Sequence, residues 1–248
     1  MCLIVFAWRP GHLQPLVLAA NRDEFYARPT QPLASWPDAP GVHAGRDLEA
    51  GGTWLGLGPE GRFAAVTNIR RPGQPPGKRS RGGLTANFLL DQRSIEAYAQ
   101  EVLQQADEYA GFNLLLGDAR QLYYLSSDSQ TLEPLSEGVY GLSNAGLNTP
   151  WPKLLKARNE LAQRLANESP ADLLELLHDT QPAADGELPD TGVGLATERL
   201  LSSVFISSAN YGTRASTALL VSADGHRQII ERSFGPQGAR LGEVSLSL

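Results

Sequence analysis

Apolar residues fall in short runs separated by turn-forming residues along most of the chain. Leu3-Ile4-Val5-Phe6-Ala7-Trp8 is unbroken and closes at Arg9-Pro10-Gly11, which reads as a buried strand. A second run, Leu16-Val17-Leu18-Ala19-Ala20, ends in Asn21-Arg22-Asp23-Glu24. Pairing of these two strands would bring the polar tetrad back towards Cys2. The stretch from Arg28 to Gly45 is rich in Pro, Gly and Ala and reads as a long surface loop. Gly51-Gly52-Thr53-Trp54-Leu55-Gly56 and Phe63 to Asn68 read as two strands of a hairpin, with Asn68 at the exit.

Arg70 to Gly83 is a basic Pro/Gly-rich loop holding Arg70, Arg71, Lys78, Arg79 and Arg81. It is a solvated loop or a rim that attracts an anion. Two helices are expected next, Thr85 to Leu90 and Ile95 to about Ala106, the second capped by Ser94. Strands follow at Gly111–Gly117, Gln121–Leu125 and Gly138–Ala145. Leu154, Leu155, Leu161 and Leu165 give a helical stripe through about Ala166. Ser169, Pro170 and Asp172 start another helix in the manner of a capping box. Gln181 to Thr197 reads as a loop or lid. After it come a strand over Ser202–Ser208, a turn over Asn210–Arg214, a strand over Ser216–Ser222, the Asp224-Gly225 hairpin, and an alternating outer strand over Gly242–Leu248. Strands segregated from helices predict α+β layering in one domain over residues 1–248.

Composition narrows the function classes. The chain has 248 residues, 42% hydrophobic and 19% charged, with a net charge of −6. That balance argues against nucleic acid as the partner, because binding a phosphate backbone requires a basic face. A single cysteine excludes an internal disulfide and a cysteine metal cluster, which suits a reducing cytoplasm. No run approaches the roughly 18–20 apolar residues of a membrane span. His12, His43, His178 and His226 show no ligand spacing, there is no phosphate loop or dinucleotide fingerprint, and no cofactor is required.

The candidate chemistry centres on that cysteine. Methionine is commonly excised before a small residue, and excision here would give Cys2 a thiol and an α-amine together. An α-amine has a pKa of about 7.7–8.0, so near neutral pH it can take the proton of its own thiol. Arg22 would favour the thiolate. The plain alternative is a small buried hydrophobe. Asn68 and Asn144 each end an expected strand and are either oxyanion donors or turn formers. Arg214 holds a carboxylate, orders the Cys2 terminus, or pairs with Asp23 or Glu24. Asp23 orients the amine or caps a turn. Trp54, Phe25, Tyr26 and Tyr211 line a cleft or, for Trp54 above all, pack in the core.

Several motifs occur together: Met1-Cys2, Leu18 to Tyr26, Gly51 to Gly56, Gly111 to Leu114, Tyr140 to Ala145, Thr149-Pro150-Trp151 and Tyr211 to Arg214. By these the chain resembles the NRDE family, whose eukaryotic members are the transport and Golgi organisation proteins. The resemblance implies a branch of the N-terminal nucleophile hydrolases. The implied fold is a four-layer αββα sandwich with two antiparallel sheets between helical layers. The implied activity is hydrolysis of a C–N amide, as in the choloylglycine-type amidases. By that resemblance Cys2 is the nucleophile, Asp23 steadies the amine, Asn68 and Asn144 serve the oxyanion, and Arg214 matches a later Arg. Arg22, Glu24, Trp54 and Tyr211 are expected to contact the ligand. The early Arg of those amidases falls on Ala20, and Arg22 is expected on the opposite strand face. The family is also linked to haem export and to coenzyme A or lipid metabolism. The second expectation is therefore a non-catalytic binder of haem or an acyl-CoA-type anion.

Overall fold

A computed structural model describes residues 2–165 and 169–248. The strands are β1 (Cys2–Trp8), β2 (Leu16–Phe25), β3 (Thr30–Ser35), β4 (His43–Asp47), β5 (Leu55–Leu57), β6 (Phe63–Asn68), β7 (Phe112–Gly117), β8 (Leu122–Ser126), β9 (Thr131–Pro134), β10 (Gly138–Leu142), β11 (Tyr211–Val221), β12 (Arg227–Phe234) and β13 (Arg240–Ser247). The helices are α1 (Arg81–Leu90), α2 (Ile95–Gln104), α3 (Pro152–Arg164), α4 (Pro170–Glu175) and α5 (Leu195–Leu201). They form two all-antiparallel sheets, so the α+β class holds. The chain divides into two compact units, each holding one sheet. The first is Met1–Ala27, Arg70–Pro72 and Glu137–Leu248; the second is Arg28–Ile69 and Gly73–Ser136.

The first unit's sheet runs β10-β1-β2-β11-β12-β13. All of β1 is buried, which explains its unbroken apolar run: neither face meets water. Leu3, Val5, Ala7, Val17 and Ala19 pack with Leu154, Ala157 and Leu161 of α3 and Leu173 and Leu174 of α4. Helix α3 lies close on β10, since a Cβ on Gly141 would sit 2.6 Å from Leu154 Cδ2. Helix α4 starts with the expected capping box, Ser169 and Asp172 each bonding the other's backbone N–H.

The second unit's sheet runs β3-β4-β5-β6-β7-β8-β9. Phe88 and Leu89 of α1 and Tyr98 and Ala99 of α2 pack with Ala64, Phe112, Leu114 and Leu116 of the sheet. Ser94 caps α2 as expected, accepting from the Ala97 N–H at 3.2 Å.

Several local expectations fail for identifiable reasons. Residues 28–45 are not one long loop: β3 and the start of β4 lie there. Their pairing comes from the sheet, not from apolar content, because β3 is largely exposed. Asn210–Arg214 is not a turn, since Tyr211 to Arg214 already belong to β11. Ser202–Ser208 forms no strand, although Val204, Phe205 and Ile206 are buried; a short apolar run does not by itself fix strand geometry. The helix expected to reach Ala166 ends at Arg164, and Ala166 and Met1 lie outside the described residues. No helix among the described residues is long and apolar enough to cross a membrane.

Candidate functional site

The antiparallel register of β1 and β2 sets Cys2 opposite Arg22, Leu3 opposite Asn21 and Ile4 opposite Ala20. Directly paired residues share a sheet face, and faces alternate along a strand. Cys2, Ala20 and Arg22 therefore share one face; Leu3, Asn21 and Asp23 share the other, which α3 and α4 cover. This corrects the expectation that Arg22 lies opposite the early Arg position. Ala20 and Arg22 are two residues apart, and a period of two puts both on the face of the thiol.

Cys2 is buried. Burial pushes its thiol up, and the Asp23 charge adds to the rise. The Arg22 guanidinium and a hydrogen bond from the Asp23 N–H pull it back down. The Cys2 carbonyl accepts from Ser143 Oγ at 3.1 Å. The start of β1 is thus fixed by β2 on one side and by the end of β10 on the other.

Asn144 follows Ser143 and is buried. Its carbonyl accepts from the Arg70 N–H at 2.8 Å. Arg70 in turn reaches Glu198 Oε2 at 2.6 Å, with both side chains buried, and its guanidinium lies over the Trp151 ring at 4.6 Å. Glu198 Oε1 also accepts from the Thr191 N–H at 2.9 Å and from its hydroxyl at 2.5 Å. Glu198 thereby ties α5 and residues 189–194 to the segment that anchors Asn144.

Asp23 pairs across to Thr213 in β11, whose hydroxyl donates to Asp23 Oδ1 at 2.8 Å. Burial raises the Asp23 carboxyl, and Lys153 is the strongest charge opposing that rise. Asn21, on the same face, is structural. Its Nδ2 donates to the carbonyls of Leu177 at 3.0 Å and Val204 at 2.9 Å, and its Oδ1 accepts from Ser216 at 2.5 Å.

The register of β2 and β11 slips between Thr213 and Ala215, which makes Arg214 the bulged residue. A bulge re-aims a side chain. Here Arg214 Nη1 donates to the carbonyls of Phe25 at 2.9 Å and Tyr26 at 3.2 Å. Burial lowers the Arg214 proton affinity, as does the charge of Arg22, while Glu24 raises it. Glu24 Oε1 accepts from the Phe25 N–H at 2.8 Å. Tyr211 pairs with Phe25, and the two rings meet edge to face at 5.1 Å. Burial raises the Tyr211 phenol, with Asp23 and Cys2 adding to the rise.

The first unit thus brings together Cys2, Arg22, Asp23, Glu24, Asn144, Tyr211 and Arg214. Trp54 and Asn68 belong to the second unit. Trp54 is a core residue there: its ring lies over Gly45, where an added Cβ would fall 2.2 Å from Cη2. Asn68 ends β6 opposite Phe112. In the basic loop, Arg70 is the buried partner of Glu198. Arg79 lies over Tyr109 at 5.1 Å, and Arg81 donates to the Gly111 carbonyl at 3.1 Å. These three cations are engaged with the fold. Among the described residues no group of three or more His, Cys, Asp or Glu is placed to hold a metal.

Sequence reasoning passed over Lys153, Ser143 and Glu198. Lys153 left a readable trace. It stands at i, i+4 and i+8 with Ala157 and Leu161, a stripe that is buried throughout.

Comparison with known proteins agrees with the motif resemblance. The family model described as Transport and Golgi organisation 2 matches residues 1–236. A Transport and Golgi organization 2 homolog of Mus musculus is 34% identical, over 94% of this chain and 93% of its own. The homolog of Homo sapiens is 35% identical over the same shares. The Drosophila melanogaster protein is 31% identical, over 94% of this chain and 92% of its own. Among solved structures, the Caenorhabditis elegans N-acylethanolamine-hydrolyzing acid amidase ortholog aligns with a TM-score of 0.49 and 11% identity. That alignment covers 90% of this chain and 96% of the other.

Proposed function

Taking as premise that the chain belongs to the Transport and Golgi organisation 2 family, we propose that it is a cysteine amidohydrolase of N-terminal nucleophile type. Its nucleophile is Cys2, exposed by removal of Met1, and its substrate is a small molecule with a linear C–N amide. The observation that carries this reading is the register of β1 and β2. It sets the thiol opposite a guanidinium and beside the Asp23 N–H, on a strand start whose carbonyl Ser143 holds.

In this reading the proton that moves first is that of the Cys2 thiol. The Cys2 α-amine takes the proton as sulfur attacks the amide carbon. The tetrahedral oxyanion needs a fixed donor, and Asn144 is the residue of the first unit that supplies one from its side-chain amide. Collapse breaks the C–N bond, and the ammonium returns its proton to the leaving amine. Water then attacks the thioester, with the amine again taking and returning a proton. The acid leaves and the thiol is regenerated. Asp23 orients the amine, and Arg22 stands in for the guanidinium that related amidases carry at the position of Ala20. The roles are assigned within the first unit, so Asn68 is not used.

The test is the intact mass and N-terminal sequence of purified protein, followed by a screen of fluorogenic amides and thioesters. The expected result is a chain starting at Cys2, with turnover that Cys2→Ala lowers by about a thousandfold or more, since removing the nucleophile leaves only binding and oxyanion stabilisation. Met1 retained in active protein would sink the reading. A carrier of haem or an acyl-CoA-type anion would then be the reading to test, by titration of the full chain with each.

A further inference from the structure

Val204, Phe205 and Ile206 are buried in a stretch that forms no strand, so their backbone groups find partners outside a ladder. Two of these residues serve the helix-covered face of β2 and β11. The Val204 carbonyl accepts from Asn21 Nδ2 at 2.9 Å. The Ile206 N–H donates to Thr213 Oγ1 at 3.0 Å, and the Ile206 carbonyl accepts from the Thr213 N–H at 2.8 Å. Ile206 and Thr213 are therefore tied at two points, one of them through the side chain.

That tie decides what the Thr213 hydroxyl does. A hydroxyl has one proton to give and two lone pairs to accept with. An N–H can only donate, so Oγ1 is the acceptor towards Ile206. Its single proton goes to Asp23 Oδ1, at 2.8 Å. Thr213 is fully buried, and its branched Cβ makes the side chain stiff, so Oγ1 has little room to turn away. The register holds Thr213 directly opposite Asp23 and slips only after it, at Arg214. Arg214 is re-aimed by that bulge, and Thr213 is not. The irregular path of residues 202–206 is part of the device, because an Ile206 N–H engaged in a sheet ladder could not also hold Oγ1.

We propose that Thr213 is a positioning residue: its hydroxyl, held from behind by the Ile206 N–H, fixes the rotation of the Asp23 carboxyl that orients the Cys2 amine. The orienting of the amine rests on the hydrolase reading above; the hydrogen-bonded series Ile206–Thr213–Asp23 does not. No proton is transferred between Thr213 and Asp23. Burial raises the Asp23 carboxyl, and the Thr213 bond is among the contacts that oppose the rise, since a donor on a carboxylate favours its charged form.

The experiment is carbon-detected titration of the full chain labelled at the aspartate carboxyls, with the Asp23 signal assigned by its loss in Asp23→Asn. Thr213→Val keeps the branched shape and removes the hydroxyl. Its Asp23 midpoint should rise by about one pH unit, a tenfold change in proton affinity, and Thr213→Ser should return it towards the parent value. An unmoved midpoint in folded Thr213→Val overturns the proposal. If Thr213→Val does not fold, the parent protein decides. Its Thr213 hydroxyl proton, assigned through its own Hβ, should exchange slowly with water and shift at the Asp23 midpoint. A hydroxyl proton that exchanges too fast to be seen, or that ignores that midpoint, overturns the proposal. Where turnover is found, Thr213→Val should lower kcat and kcat/KM together by about tenfold, and Thr213→Ser should regain most of it. Full turnover beside a moved midpoint overturns the positioning role. A moved midpoint in protein without Cys2-dependent activity supports the Thr213–Asp23 bond and drops the hydrolase. Cys2-dependent activity with an unmoved midpoint does the reverse.

Discussion

Both units lay helices against an antiparallel sheet, yet they bury different things. In the second unit the buried polar residues are Thr53, Thr67, Thr85, Asn113 and Ser126, all uncharged. Asn113 shows how they are satisfied: its amide donates to Thr67 Oγ1 at 3.2 Å, and its oxygen accepts from the Tyr124 hydroxyl at 2.8 Å. In the first unit, Arg22, Asp23, Lys153, Glu198, Glu231 and Arg232 are all buried. Burying a charge costs more than burying an amide, and replacing a buried pair with apolar residues is often stabilising. The second unit is built for packing. The first buries charges, among them Arg22 and Asp23, which act on Cys2, and Arg232, which pairs with Glu175 and Glu243.

The comparison can be broken most severely at Glu198. Glu198→Ala leaves Arg70 without its buried carboxylate and should cost about 3–5 kcal/mol in urea unfolding. The double replacement Arg70→Met with Glu198→Leu should recover much of that loss. A single variant within about 1 kcal/mol of the parent, the range of an exposed pair, would show that the charges of the first unit are not energetically buried. In the second unit, Leu89 is fully buried. Leu89→Ala should cost about 2–5 kcal/mol, equally at pH 5 and pH 8, because no charge is touched. A loss that varies with pH would blur the distinction between the units. Smaller still is the Ser94 cap of α2: Ser94→Ala should cost about 1 kcal/mol, measured by the shift in urea midpoint, and no loss would mean that water replaces the cap.

The smallest effect tests the polar character of the first unit. The His178 ring meets Phe205 at 5.4 Å and Phe234 at 5.6 Å. Burial lowers its proton affinity, and the neighbouring Arg232 lowers it further, against an opposing Glu175. The unfolded chain then binds a proton at His178 before the folded one does. Its contribution is complete above the ordinary histidine value of about 6.5 and is lost as pH falls from there towards the lowered folded value. The melting temperature should fall between pH 7 and pH 5, and less steeply in His178→Gln. Parallel slopes in the two proteins would rule His178 out as the cause.

The parts of the fold legible in the sequence were those set by neighbours along the chain. The unbroken run Leu3–Trp8 named a strand buried on both faces. Ser94 and the Ser169–Asp172 pair marked helix starts, and the alternation after Gly242 marked β13. The return of Arg22 to Cys2 was also readable, because a short connection between two apolar runs favours antiparallel pairing. Even there the face of Arg22 was misassigned, although a period of two fixes it. The partially exposed β3 and the buried but irregular Ser202–Ser208 were not legible, because apolar content and strand geometry part company in both.

For the site, the sequence by itself determined which side chains were available: one thiol, the Asn-Arg-Asp-Glu run, Asn144 and Arg214. Only the tertiary structure decided which of them are buried, and beside what. Lys153 shows in the sequence only as a member of an otherwise apolar helical stripe, Arg70 reads as part of a solvated or anion-attracting loop, and nothing in the sequence marks Glu198. Their energies depend on the dielectric around them and on residues far away in the chain: Arg70, Lys153 and Glu198 lie 47 to 175 positions from Asp23. Burial and charge at a point are sums over everything nearby in space, and spacing along the chain does not report that sum.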